Sequence, residues 1–281
     1  MQIPELTLTD VDVPNFCEAR DQAQNVAQWL ARMTKSFAVS HGRSPTCELF
    51  WISQTQTICT PEIAPGTVLE LRLPELWLQF SEGGALVPHR LEVEERSSAE
   101  VEAWLRVEML HRGFEREKFS TELPYHWSKL MSGDEKKYCP ESLARELQLL
   151  TGWFQNASTI LLKARNRLHA SLEGDANFMI AASDADTPAR LKCWPDRFDI
   201  GFDINAVKKS DRSSPLIKVA FMAGDENNAE PRFFVSSASA DLAILPAGRA
   251  TGSEMAVEDG VGYLIARARE QMTAMLKSKT L

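Results

Sequence analysis

The chain has 281 residues, 44% hydrophobic and 25% charged, an ordinary globular composition with room for one large domain or two small ones. Its 31 basic and 39 acidic side chains are interleaved and leave a formal net charge of −8. That balance argues against binding nucleic acid or an anionic membrane surface, both of which need clustered Lys and Arg.

No run approaches the roughly 18 apolar residues that a membrane span needs, and the N-terminus lacks the basic start and apolar core of a signal peptide, so the expected location is the cytoplasm. Five scattered cysteines, Cys17, Cys47, Cys59, Cys139 and Cys193, form no C-x-x-C pair and read as reduced, mostly buried thiols.

Asn15 with Glu18 reads as a capping box, with Pro14 just ahead of it. Ala19, Ala23, Val26, Leu30, Met33 and Phe37 then share one face of a helix over 16–37. Residues 47–53 are an aromatic-rich apolar run of strand type. Alternation follows at Leu69, Leu71 and Leu73, and again at Leu76, Leu78 and Phe80. Ser81 to Gly84 reads as a hairpin turn, and Leu91 and Val93 mark the return of an antiparallel sheet with one wet face. Ser97 and Glu100 form a second capping box for a helix carrying Val101, Trp104, Leu105 and Met109, with Gly113 as its stop.

Residues 114–138 are polar and irregular and read as a connector, whose Tyr125-His126-Trp127 is of the kind that anchors a loop onto a core. Pro140 opens the strongest helix, with Leu143, Leu147, Leu150, Phe154, Ala157, Leu161, Ala164 and Leu168 on one stripe. The stripe is wide and lacks paired flanking charges, which favours a core helix over a dimer seam. Strand patterns follow at 177–182, 190–204, 216–223 and 232–236, and a closing helix carries Val261, Leu264, Ala268, Met272 and Met275. The whole reads as an α+β protein of two similar halves, 1–113 and 139–281, each a helix, an antiparallel sheet and a helix, in the pattern of a duplicated unit.

Two polar segments stand out. Taken as one strand, 193–203 places Trp194, Asp196, Phe198, Ile200 and Phe202 on one face and Cys193, Arg197, Asp199 and Asp203 on the other. Asp199 and Asp203 are then about 13 Å apart along the strand, too far to share a proton or a metal. Gly224 to Pro231 gathers Asp225, Glu226, Asn227, Asn228 and Glu230, oxygen donors in a spacing that fits a self-bonded turn better than a Ca²⁺ loop. Gly260-Val261-Gly262 is a weak anion-site signal. The histidines, His41, His89, His111, His126 and His169, show no zinc spacing, and no motif names a metal or cofactor.

The run Trp194-Pro195-Asp196-Arg197-Phe198-Asp199, followed by Gly224-Asp225-Glu226, Ala229-Glu230-Pro231 and Phe233-Phe234, resembles an uncharacterised bacterial family, a domain of unknown function with the pattern W-P-H-H-F-D, then G-D-E and A-E-P. The two family histidines fall on Asp196 and Arg197 here, and 248–252 lacks the histidine that the family tends to carry. The resemblance implies kinship and fold, with any histidine metal site altered.

The expectation is a soluble protein that binds a small molecule in a pocket between the sheets, near Trp194, Asp196, Arg197, Asp199, Asp225 and Glu226. The alternatives are a metal-assisted, hydrolase-like enzyme using these carboxylates, and an interaction scaffold that forms a homodimer through the 140–170 helix.

Overall fold

A computed structural model describes residues 6, 8, 12–38, 48–173, 175, 177–180, 190–206, 217–237 and 240–278. They form an α+β protein whose strand pairings are all antiparallel. The chain divides into two compact units, one of residues 11–151 with 193–198, the other of 1–10, 152–192 and 199–281. His41 and Cys47 lie outside the described residues; the other four cysteines are thiols.

In the first unit, α1 (Val13–Phe37) is capped by Asp12, whose carboxylate accepts the Asn15 N–H at 3.3 Å. The expected cap at Asn15 is therefore displaced by three residues. Pro14 lies inside the first turn, where its missing N–H costs nothing. Strands β1 (Leu49–Ile52), β2 (Thr57–Cys59), β3 (Thr67–Arg72), β4 (Trp77–Glu82) and β5 (Ala85–Leu86) pair in sequence, and β6 (Leu91–Glu92) also pairs with β4. Leu69, Leu71, Leu73, Leu76, Leu78 and Phe80 are buried, as the alternation requires, and α1 packs on β1 and β3. Helix α2 (Ser98–His111) has the full Ser97/Glu100 capping box, and Gly113 follows it at φ +69°.

Helix α1 is buried along most of its circumference, and its polar side fastens loops. Asn25 Nδ2 donates to the carbonyls of Asp21 and Lys129, and its Oδ1 accepts the Met131 N–H. Gln22 Oε1 accepts the Cys139 N–H, and Arg32 Nε donates to the Thr121 carbonyl at 2.7 Å. Tyr125 donates to Gln28 Oε1, so that aromatic is indeed a loop anchor. Residues 114–138, expected as a connector between halves, thus lie within the first unit and are held by α1.

Helix α3 (Ala144–Leu172) follows a 3-10 turn at Glu141–Leu143. Leu147, Leu150, Phe154, Ala157, Leu161, Ala164 and Leu168 are all buried within the single chain, so the stripe is core and offers no exposed dimer seam.

The second unit holds β9 (Asp199–Ala206), β10 (Ile217–Met222), β11 (Arg232–Ser237) and β12 (Ala240–Pro246) as a meander, with β7 (Phe178–Ile180) on the end of β9. Strand β8 (Arg190–Trp194) precedes β9; its first three residues belong to this unit and its last two to the first. Trp153 and Phe154 of α3 contact Phe221, which also meets Phe233. Helix α4 (Glu254–Ser278) packs on β10, β11 and β12 through Val261, Leu264, Ala268, Met272 and Met275. Gly260 and Gly262 sit inside this helix and not at its start, which removes the anion-site reading. A Cβ on Gly260 would lie 2.6 Å from Ala250 Cβ, so the glycine serves close packing.

Candidate functional site

The residues expected to form one pocket fall in both units: Trp194, Asp196 and Arg197 in the first, Asp199, Asp225 and Glu226 in the second. The continuous strand expected over 193–203 is broken by a turn. Arg197 N–H donates to the Trp194 carbonyl, and Phe198 adopts φ +56°. Pro195 explains the break, because its fixed φ suits the second position of a turn and ends a strand. Asp196 and Arg197 are exposed at the tip, and Trp194 is half-buried. The backbone of the turn is bound from below: Gln24 Nε2 donates to the carbonyls of Pro195 and Asp196, and Gln28 Nε2 to that of Pro195.

In the second unit, Asp199 is wholly buried, with its carboxylate 3.9 Å from Lys218 Nζ. Asp203 accepts from Lys192 Nζ at 2.9 Å, and both are at most 6% exposed. Lys192, and not Cys193, therefore shares the face of Asp203. Asp225 is tied into its own turn. Its Oδ1 accepts the N–H groups of Asn227 and Asn228, and its Oδ2 pairs with Arg232. Burial would raise its pKa, but these donors outweigh burial and hold the carboxyl below its usual range. Gly224 (φ +89°) allows the tight return, since a Cβ there would meet the Asn228 and Ala229 carbonyls. Glu226 is exposed on that turn. Among the described residues no group of three or more His, Cys, Asp or Glu is placed to hold a metal ion.

Two concavities lie wholly in the first unit, neither signalled by a sequence motif. The larger, about 490 Å³, is lined by Pro74, Glu75, Trp77, Arg90, Glu92, Glu94, Pro140, Glu141, Ala144 and Gln148. Trp77 and Glu92 face each other across the β4–β6 pair. Arg90 lies over the Trp77 ring, 5.8 Å from its centroid, and pairs with Glu92. Glu94 Oε2 accepts the Glu141 N–H at 2.8 Å, which fixes the mouth of the 3-10 turn against the strand end. Three non-glycine residues with positive φ adjoin this lining: Leu76 (+49°) before Trp77, His89 (+76°) before Arg90, and Glu95 (+55°) after Glu94. Such backbone costs free energy and gathers where a surface has been shaped for a task.

The smaller, about 320 Å³, is lined by Glu82, Val87, Pro88, His89, Glu108, His111 and Arg112. Glu108 is buried, and its Oε2 accepts from Arg112 Nη1 at 2.6 Å. Oε1 of the same carboxylate lies 3.9 Å from His89 Nδ1 and 3.8 Å from His111 Nδ1. The Arg112 guanidinium rests over the Phe80 ring at 4.2 Å, with Nε 2.9 Å from Glu82.

Comparison with protein-family models, with curated proteins and with solved structures finds no match for this chain.

Proposed function

We propose that this is a small-molecule-binding protein, and that its ligand is an organic cation held in the Trp77 cleft of the first unit. The observation that carries this reading is Arg90 lying over the Trp77 ring inside a cleft of about 490 Å³. The ring already engages a guanidinium, and the volume falls within the roughly 300–1,000 Å³ of small-ligand sites. Four carboxylates, Glu75, Glu92, Glu94 and Glu141, share the lining with that guanidinium, and Glu75 is itself paired with Arg72 outside the lining, which leaves the lining with more acidic than basic groups. An incoming ammonium or guanidinium would meet an aromatic face and a negative field, a combination worth about 0.5–2 kcal/mol per cation–π contact, more as water is excluded.

The place differs from the one expected from sequence. Asp225 is occupied with its own turn; carboxylates of the Trp77 cleft are bonded too, Glu92 to Arg90 and Glu94 to the Glu141 N–H, but they line a concavity of about 490 Å³ beside an aromatic ring.

Isothermal titration with agmatine, a neutral alcohol of the same length and a dicarboxylate of the same length tests the reading. Saturable binding is expected for agmatine alone, and Trp77→Ala or Glu92→Gln with Glu94→Gln should remove it. Absence of agmatine binding, or equal binding of the three probes, would overturn it.

A further inference from the structure

We propose that the outer face of α2 is a contact surface for a second copy of this chain, joined to it as an antiparallel helix pair across a two-fold axis. A helix that buries one face normally carries polar side chains on the other. Helix α2 departs from that rule. Val101, Leu105 and Met109 are buried in the first unit, while Val107 and Leu110, on the opposite side, are 50% and 59% exposed. Ala103 is exposed beside them, and Ala99 is half-buried. Ala99, Ala103, Val107 and Leu110 fall within about 80° of one another around the helix, so they form one apolar stripe along its outer side.

Size and charge along this stripe identify the occupant. The small residues, Ala99 and Ala103, lie toward the N-terminal end, and the larger ones, Val107 and Leu110, toward the C-terminal end. An antiparallel copy centred near residue 105 sets Leu110 against Ala99 and Val107 against Ala103, large into small, on both sides of the axis. Glu102 and Arg106 border one side of the stripe, and Glu100 and His111 the other. In an antiparallel pair each border meets the same border of the second copy. With the same centre, Glu102 then lies opposite Arg106, and Glu100 opposite His111, whose ring can donate to it. A parallel pair would set Glu102 against Glu100. Border charges of this kind choose partner and orientation in helix pairs.

Glu102 already pairs with Arg106 of its own helix at 2.7 Å, and Glu100 with Arg96 at 3.1 Å. All four are 31–50% exposed, so bridges to the second copy are added at a wet rim and set register more than affinity. The helix is about 21 Å long, which places this contact at the small end of specific interfaces. The dimer is therefore reversible and depends on protein concentration.

Sedimentation velocity on the intact protein, from micromolar to near-millimolar concentration, tests the proposal, with ¹⁵N amide shifts followed over the same range. The average mass should rise reversibly toward twice that of the chain, and the concentration-dependent shifts should centre on residues 99–110. Leu110→Glu changes a solvent-facing position, so the monomer should keep its melting temperature. It should weaken association by about tenfold or more, because it places a carboxylate against Ala99 and beside Glu100 of the second copy. Glu102→Arg should weaken association about threefold, the scale of a rim ion pair, and Glu102→Arg with Arg106→Glu should restore it. A chain that stays monomeric throughout, which would leave the stripe to an unlike partner, would overturn the proposal. So would a dimer that Leu110→Glu leaves intact, or a charge-swapped double variant that associates no better than Glu102→Arg alone.

Discussion

Helix α1 of the first unit and the sheet of the second bury polar groups in different chemical forms. In the first, α1 hides amides, and each reaches backbone that has no ladder partner: Asn25 toward Lys129 and Met131, Gln22 toward Cys139, Gln24 and Gln28 toward the Pro195 turn. Of its two buried cations, Arg32 is used this way, donating to the Thr121 carbonyl while burial lowers its pKa, and Arg20 pairs with Asp21. In the second, the sheet hides opposite charges, Lys192 with Asp203 and Lys218 near Asp199. An amide can satisfy a donor and an acceptor at once without the desolvation cost of an ion, so it suits a helix that must hold an irregular loop. A charge pair ties one strand to another but is strongly destabilising when one partner is lost.

The sharpest way to break this contrast is Lys192→Met. It removes the ammonium that pairs with buried Asp203 at 2.9 Å and should cost about 3–5 kcal/mol in urea unfolding, whereas Lys192→Met with Asp203→Leu should recover most of that loss. A smaller effect is expected from ionising a neutral group of the first unit. Tyr138 is 1% exposed, and burial pushes its pKa up to about 12. Its raised value means that the folded state is favoured fully below about pH 10, where the free phenol titrates, and loses ground as pH rises from there toward 12. The loss should reach the order of 2 kcal/mol near pH 12, and Tyr138→Phe should flatten the alkaline limb of the stability curve.

Asn25→Ala should cost about 1–3 kcal/mol, because it orphans the buried Met131 N–H, and it should speed exchange of that amide. The same change made at an exposed amide of the second unit, Asn227, should do little. The smallest effect belongs to Asp225. Its lowered pKa contributes stability that is present above the ordinary carboxylate range and is lost as pH falls through its folded value. Asp225→Asn should remove that acid-side dependence and lower stability at neutral pH slightly, by the contribution that the wild type loses in acid.

Helices were the most legible part of the sequence, because their signals are local. The Ser97/Glu100 box and the Leu147 to Leu168 stripe each lie within one helix and appear as read, and the Leu69 to Phe80 alternation lies within one hairpin, β3 and β4. The turn at 194–198 was hidden because Trp194, Asp196, Phe198, Ile200 and Phe202 keep an unbroken alternation, and only Pro195 marks the interruption. Strand β12 was missed, and the amide side of α1 has the composition of a wet helix face; its burial comes from a loop about 100 residues away, as the Asn25–Lys129 bond shows. The cleft was invisible for a similar reason. It is assembled from 74–77, 90–94 and 140–148, and no spacing within any one of these segments announces that they meet. Likewise His89 and Glu108 look unrelated in sequence and converge only because β4, the following loop and α2 pack together.

The binding claim is tested most directly by following the Trp77 indole N–H resonance, assigned by its loss in Trp77→Phe, while agmatine is titrated into the ¹⁵N-labelled protein. A saturable shift of that resonance, larger than that of the indoles outside the cleft and absent in Glu92→Gln/Glu94→Gln, is the predicted result. A resonance that stays still at millimolar agmatine would contradict the account.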